Sequence, residues 1–275
     1  NRIVMPPMAT AKADKNGHVT EEILHYYEDK TKNKLFSTVI IEHCFVDVLG
    51  KASKNQTSIA DDSTIDGMKK LAKLVKSNDS NVVLQISHAG SSASEEVIGQ
   101  KPVAPSAIKN PSKSTTEIPR ELTVEEIEQI IEKFVDAAVR AKKAGFDGVE
   151  IHSAHGYLLN QFLSPITNKR TDEYGGDIDG RIKIHLEIIR KIREKVGENY
   201  PIFIRMGAGD YLEGGLSTED SIHAAQEFVK AGVDVLDISG GMCMFSIDDQ
   251  RAGFFDFLSK PIYENVDVPV ILTGG

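Results

Sequence analysis

V-E-I-H-S-A-H-G-Y-L-L-N-Q-F-L-S-P-I-T-N-K-R-T-D-E-Y-G-G, from Val149 to Gly176, is the stretch around which the rest of the chain is organised. A short apolar run, Val149 to Ile151, ends at His152, and His155 and Tyr157 follow before a helix can settle. Three groups able to donate or exchange protons are therefore gathered where a strand stops. In a barrel of parallel strands that edge carries the active site, because the loops leaving the C-terminal ends converge on one mouth.

Outward from this stretch the chain alternates between two periods. Upstream, Thr123 and Glu126 form a capping box, Ile127, Ile130, Ile131, Phe134, Ala138 and Ala141 make one apolar stripe, and Gly145 stops the helix. Downstream, Ile182, Leu186, Ile189, Ile192 and Val196 mark another helix, Ser217 caps the next, and a shorter one lies near Phe254 to Glu264. Toward the N-terminus, helices are expected from Glu21 to Leu35 and from about Thr64. The strands read as Ile3–Met5, Ser37–Phe45, Asn81–Ser87, Phe146–His152, Pro201–Met206, Val235–Ser239 and the run from Val268 to Thr273. Seven strands and six helices in alternation argue an α/β chain with a parallel sheet, and predict a (β/α)8 TIM barrel of which about seven of the eight units are present. The competing architecture is a doubly wound open sheet, but the first strand-to-helix turn has no G-x-G-x-x-G. Ala89 to Leu122 has no sustained period, and a stretch of that length is expected to be a functional loop hanging over the mouth.

At 275 residues one large domain is expected, spanning 1–275. A net charge of -9 argues against a nucleic-acid partner, which would need a clustered basic face. Two cysteines, Cys44 and Cys243, form no disulfide framework and point to a reducing, cytoplasmic setting. No apolar run approaches the roughly 18 residues needed to span a membrane. The chain opens at Asn1 directly into a strand-like run and stops at Gly274-Gly275 directly after another, so an eighth unit and any targeting signal are expected to lie outside it. A homo-oligomer remains open.

Several polar residues sit where an apolar core would be expected. His152 and His155, three apart at a strand end, can aim two N–H groups at one small area, which suits an acceptor that becomes negative. A zinc pair and two structural histidines are the competing readings, although no third ligand is obvious nearby. Arg205 interrupts I-F-I-R-M and must face an anion or an acceptor-rich group, or else an internal partner such as Glu150. Gln85 interrupts V-V-L-Q-I-S and offers both a carbonyl and an amide. Together they describe a pocket for a flat heterocycle with carbonyl and N–H edges. Tyr157 is the natural proton donor, unless it is a packed helix-face aromatic. Gly274-Gly275 after the seventh strand suits a phosphate site.

These residues resemble the old yellow enzyme family of FMN-dependent ene-reductases and NAD(P)H oxidoreductases. The likeness is carried by N-R-I-V-M-P-P-M at Asn1–Met8, L-Q-I-S-H-A-G at Leu84–Gly90, and H-S-A-H-G-Y-L-L-N-Q-F-L-S-P followed by N-K-R-T-D-E-Y-G-G. It implies FMN across the mouth of the barrel, with NADH or NADPH as reductant and a small-molecule acceptor. It would place Pro7, Met8 and the main chain near Ala9 against the flavin ring and His43 close to it. Gln85 would bind the pyrimidine edge, and Arg205 would lie where negative charge collects on reduction. His152 and His155 would hold the acceptor's oxygen, and Tyr157 would protonate its α-carbon. Ala9 departs from the Thr or Cys common in the family, and Gly180 stands in D-I-D-G-R where Asn is usual. A metal-dependent barrel hydrolase using the two histidines, and a flavin-binding barrel without turnover, are the alternatives.

Overall fold

The computed structural model describes residues 1–113, 117–248 and 251–274. Seven strands form one parallel sheet and lie side by side in chain order: β1 (Val4–Met5), β2 (Thr38–Phe45), β3 (Asn81–Ser87), β4 (Gly148–Ser153), β5 (Ile202–Gly207), β6 (Val235–Ser239) and β7 (Val270–Leu272). Between them run helices α1 (Glu21–Thr31), α2 (Ile65–Ser77), α3 (Val124–Lys143), α4 (Leu158–Leu163), α5 (Ile178–Val196), α6 (Thr218–Ala231) and α7 (Asp256–Tyr263). A parallel pair needs such crossovers because its joined ends lie at opposite edges of the sheet.

The strand order never reverses, so there is no switch point and the doubly wound alternative falls. The two edge strands face one another instead: Val4 of β1 and Ile271 of β7 line a single cavity of about 320 Å³. The result is a nearly closed barrel of the (β/α)8 class.

Element boundaries differ from the sequence reading where local chemistry intervenes. Helix α1 stops at Thr31 and not near Leu35, because Lys34 adopts a left-handed φ of 54° and Leu35, 57 % exposed, has no core to face. The stretch from Ala89 to Leu122 is not featureless. It holds a turn at Gly90–Ser92, a short helix at Glu95–Ile98, and a parallel pair of Val103–Ala104 with Arg120–Glu121, pieces too short to show a period. Gly180 has a local reason: a Cβ there would lie 1.9 Å from the Gly175 carbonyl oxygen, in the first turn of α5 that Asp177 caps.

Strand side chains alternate between two environments. The outward set, including Leu84, Ile86, Val149, Ile151, Ile204, Met206, Leu236 and Ile238, packs with Ile131, Phe134, Ile189 and Phe228 of the helices in one continuous apolar cluster. Each such fully buried side chain contributes about 1.5–3 kcal/mol relative to exposure. The alternate set turns into the barrel, and toward the C-terminal ends of the strands it is polar. Gln85 stands opposite Glu150, His152 opposite Arg205, and Arg205 opposite Asp237.

These interior groups compensate one another. Gln85 Nε2 donates to Glu150 Oε2 at 2.6 Å, and Thr273 Oγ1 donates to Asp237 Oδ1 at 2.6 Å. The counter-ion nearest Arg205 is Asp237, with Nε 3.6 Å from Oδ2, rather than Glu150 as the sequence suggested. Burial pushes both carboxyls above their ordinary range, and the charge of Asp237 pushes Glu150 further, while Arg205 pulls both down and hydrogen bonds from Thr273 and Glu150 lower Asp237. Neither Glu150 Oε1 nor Asp237 Oδ2 meets a donor. One proton shared by the two acids satisfies both oxygens, and with the guanidinium it leaves the cluster neutral.

Two expectations follow from this packing. Replacing Thr123, whose hydroxyl accepts from Glu126 N–H at 3.3 Å while Glu126 returns a 2.9 Å bond, by Ala should cost α3 about 1 kcal/mol in urea unfolding. Arg205→Met should cost about 3–5 kcal/mol at neutral pH, because it strands the acids without their cation. The sign with pH is set by the raised carboxyl pKa values: above the unfolded value near 4 the native state binds more protons than the unfolded chain, so stability falls as pH rises. Urea midpoints between about pH 5 and about pH 8 should therefore drop more steeply in the variant than in the parent; equal slopes would rule out the shared proton.

Candidate active site

The C-terminal ends of the strands surround a cavity of about 460 Å³, within the usual size of a small-molecule site. Pro7, Met8, Ala9, His43, Gln85, His152, His155, Tyr157, Arg205 and Gly274 all line it. Gly275 lies outside the described residues. The wall also includes Ser239, Met244, Phe245 and Thr273, which sequence reasoning did not single out.

The segment that leaves β1 is held over the cavity by Glu42. This carboxylate accepts from the Thr10 amide, from Thr10 Oγ1 at 3.0 Å and from Thr57 Oγ1 at 2.5 Å, while its own backbone N–H donates to Tyr27 Oη at 2.9 Å. Next along β2, His43 sits in a register shift between Ile41 and Cys44. Such bulges re-aim a side chain at the rim of a sheet.

After β4 the chain turns through the left-handed region twice in succession, at His155 (φ 59°) and Gly156 (φ 68°). For a histidine this conformation is costly and must be imposed by its surroundings. The Gly156 carbonyl accepts three donors, Ser92 Oγ at 2.7 Å, Gln161 Nε2 at 2.7 Å and Asn110 Nδ2 at 3.1 Å, and Gly156 N–H donates to Asn160 Oδ1 at 2.8 Å. His155 N–H donates to the Gly240 carbonyl at 3.2 Å, and its Nε2 meets Ser239 Oγ at 2.8 Å. His155 thus lies in a tight turn, and α4 begins only at Leu158. The turn brings the rings together: His152 to His155 is 5.1 Å and His152 to Tyr157 is 4.9 Å between centroids.

Burial lowers the pKa of both His152 and His155 well below the ordinary value, and the neighbouring imidazoles and Arg205 push the same way. Both are neutral at physiological pH, so each carries one N–H and no charge. Burial pushes the Tyr157 phenol up to about 12, so it keeps its proton. The Arg205 side chain forms no hydrogen bond among the described residues, and its Nε is buried without a hydrogen-bond partner. The floor of the cavity therefore presents a guanidinium with no hydrogen-bond acceptor among the described residues, balanced in charge by the singly protonated acid pair beneath it.

Among the missed residues, Asp237 carried a usable signal, a charge inside the apolar run V-L-D-I-S, the same sign by which Arg205 was noticed. Met244 and Phe245 carried none. Phe245 is 64 % exposed, packs edge-on to His155 at 6.2 Å, and lies in a loop with no period. Among the described residues no group of three or more His, Cys, Asp or Glu is placed to hold a metal ion, and no helix is long and apolar enough to cross a membrane.

Comparison with known proteins matches residues 1–275 to the model of the NADH:flavin oxidoreductase / NADH oxidase family. An NADH oxidase of Thermoanaerobacter brockii is 42 % identical over 281 residues, covering 100 % of this chain and 43 % of that protein. An NADPH dehydrogenase of Bacillus cytotoxicus is 37 % identical over 275 residues, covering 100 % of this chain and 77 % of its own length. A solved 2-naphthoyl-CoA reductase complex superposes with TM-score 0.91 at 28 % identity over 98 % of this chain and 44 % of that one. The old yellow enzyme homologue of Zymomonas mobilis does so with TM-score 0.85 at 25 % identity over 100 % and 78 %. The chain thus spans less than half the length of some of the proteins it matches. With a parallel barrel, a donor-lined mouth and a match over its full length, the chain belongs to the NADH:flavin oxidoreductase / NADH oxidase family, the old yellow enzyme family of FMN-dependent oxidoreductases.

Proposed function

We propose that the protein binds FMN in this cavity, accepts hydride from NADH or NADPH, and reduces the activated carbon–carbon double bond of an enone- or enoyl-type acceptor. The observation that carries the reading is the donor set: two neutral imidazoles and a phenol on one wall, and below them a guanidinium without a hydrogen-bond partner among the described residues.

The residues present fit the cofactor. Arg205 supplies the positive charge that a ring gaining an electron pair requires, and with no hydrogen-bond acceptor for its guanidinium among the described residues it is available. Gln85 is oriented by its 2.6 Å bond to Glu150, so its carbonyl and second N–H remain to read a carbonyl and N–H edge. Pro7, Met8 and the main chain near Ala9 offer an apolar surface to the ring, His43 adds a polar contact, and Gly274 would lie toward the phosphate. When bound, FMN supplies hydride transfer, taking hydride from the nicotinamide and giving it to the acceptor.

The chain's own groups do the rest. His152 and His155, held neutral, donate N–H bonds to the carbonyl oxygen of the acceptor, polarising it and stabilising the negative charge that develops there. Tyr157, with its proton retained by burial, delivers that proton to the α-carbon as hydride reaches the β-carbon. Apolar Met244 and Phe245 flank the acceptor and exclude water. Neutral imidazoles could equally ligate a metal, so it is the ligand count that disfavours a metal-hydrolase reading: His155 Nε2 is engaged by Ser239, and among the described residues no third ligand stands by.

Purified protein should be yellow, with oxidised-flavin absorbance at about 450 nm, and should oxidise NADH or NADPH in the presence of cyclohexenone. Colourless protein that hydrolyses esters only when zinc is added would overturn the proposal. His152→Ala should slow the oxidative half-reaction on the order of a hundredfold while leaving flavin reduction by NAD(P)H nearly intact, read by stopped-flow. Tyr157→Phe should likewise spare flavin reduction and slow alkene reduction by about a hundredfold or more; equal losses in both halves would remove its role as proton donor.

A further inference from the structure

The cavity holds a third imidazole, and its protonation is set by a residue outside the wall. Gln56 is buried, 4 % exposed, and its amide is oriented without ambiguity: Ala52 N–H donates to Oε1 at 2.6 Å, which identifies the oxygen. The other end is therefore the NH2 group. It donates to His43 Nδ1 at 2.6 Å and to the His43 carbonyl at 3.0 Å. A ring nitrogen that accepts a hydrogen bond carries no proton, so a neutral His43 must carry its proton on Nε2.

We propose that Gln56 is a positioning residue: by occupying Nδ1 it fixes His43 as a neutral Nε2–H donor, so that the β2 side of the cavity offers an N–H to an acceptor atom of the bound ligand and rejects a ligand donor. The bulge between Ile41 and Cys44 turns the His43 ring into the cavity, where its centroid lies 5.5 Å from Tyr157 and 6.3 Å from His152. The groups that face it there are His152 from β4, His155 and Tyr157 from the turn after it, and Arg205 from β5. None is an anion, so nothing in the cavity draws a second proton onto the ring. Burial and Arg205 hold its pKa at about 4, and Gln56, an amide, adds no charge that would raise it.

A glutamate at 56 would reverse this arrangement. Its second oxygen can still accept from Ala52, but toward His43 it can only accept, so Nδ1 must take a proton and the ring is drawn toward the imidazolium form. The tautomer is independent of the function proposed above; its effect on flavin rests on that reading.

The experiment is nitrogen NMR of histidine-labelled protein without flavin, with the His43 signals identified by their loss in His43→Gln. The expected result is a bare Nδ1 and a protonated Nε2 across neutral pH. A protonated Nδ1 at His43, or rapid exchange between tautomers, would overturn the proposal. Gln56→Glu should move the proton to Nδ1, raise the His43 pKa, and tighten reduced FMN relative to oxidised FMN on the order of tenfold. A Gln56→Glu protein with an unaltered His43 spectrum and an unaltered affinity ratio would also overturn it. Because the spectrum is recorded without cofactor, a protein that takes up no FMN would overturn the function while the tautomer result still decides this proposal.

Discussion

A guanidinium cannot be left alone inside a protein, and much of this barrel is arranged around that constraint. Arg205 sits 4 % exposed on β5 with Asp237 3.6 Å from its Nε, and Asp237 shares its environment with Glu150. Taking such charges out of water costs several kcal/mol each unless they are mutually compensated. Compensation here stops short of full hydrogen bonding, since Arg205 Nε finds only a charge contact and no acceptor at bonding distance. The cation is neutralised from below and, among the described residues, has no hydrogen-bond acceptor on the cavity side, which is the basis on which an electron-accepting ring is proposed to bind there.

The same burial acts in the opposite sense on the imidazoles. Each of His43, His152 and His155 is pushed toward the neutral form by loss of solvent, and Arg205 adds repulsion that disfavours a second positive charge nearby. In the function proposed, a wall of neutral N–H donors above one cation would separate two tasks: the donors would polarise an oxygen without competing for its proton, and the cation would offset charge on a ring. The turn that places His155 is strained at φ 59° and is kept by contacts from distant segments, Ser92, Asn110 and Gln161 on the Gly156 carbonyl and Gly240 on the His155 amide. Pre-organisation of the wall is therefore a property of the whole barrel mouth.

Much was legible in the chain. The capping box at Thr123 and Glu126 and the stripe behind it place α3 to within a residue or two, because local hydrogen bonding and period-3.6 burial agree. The β-branched runs locate all seven strands, since a parallel strand covered on both faces reads as continuous apolar sequence. Polar interruptions of those runs, Gln85, His152 and Arg205, proved to be inward-facing residues near one cavity. Asp237 broke its run in the same way and was passed over.

Residue order alone determined the alternation of strand and helix, the polar identity of the inward positions and the gathering of two imidazoles and a phenol at one strand end, because these depend on neighbours a few places apart. Only the folded barrel decided that Asp237 rather than Glu150 stands nearest Arg205, that Gln56 reaches back across 13 positions to hold one nitrogen of His43, and that Met244 and Phe245 line the cavity. Those pairings join segments whose separation along the chain carries no information about distance. They are fixed by strand register and by loop paths over the mouth, which the packing of the whole domain selects.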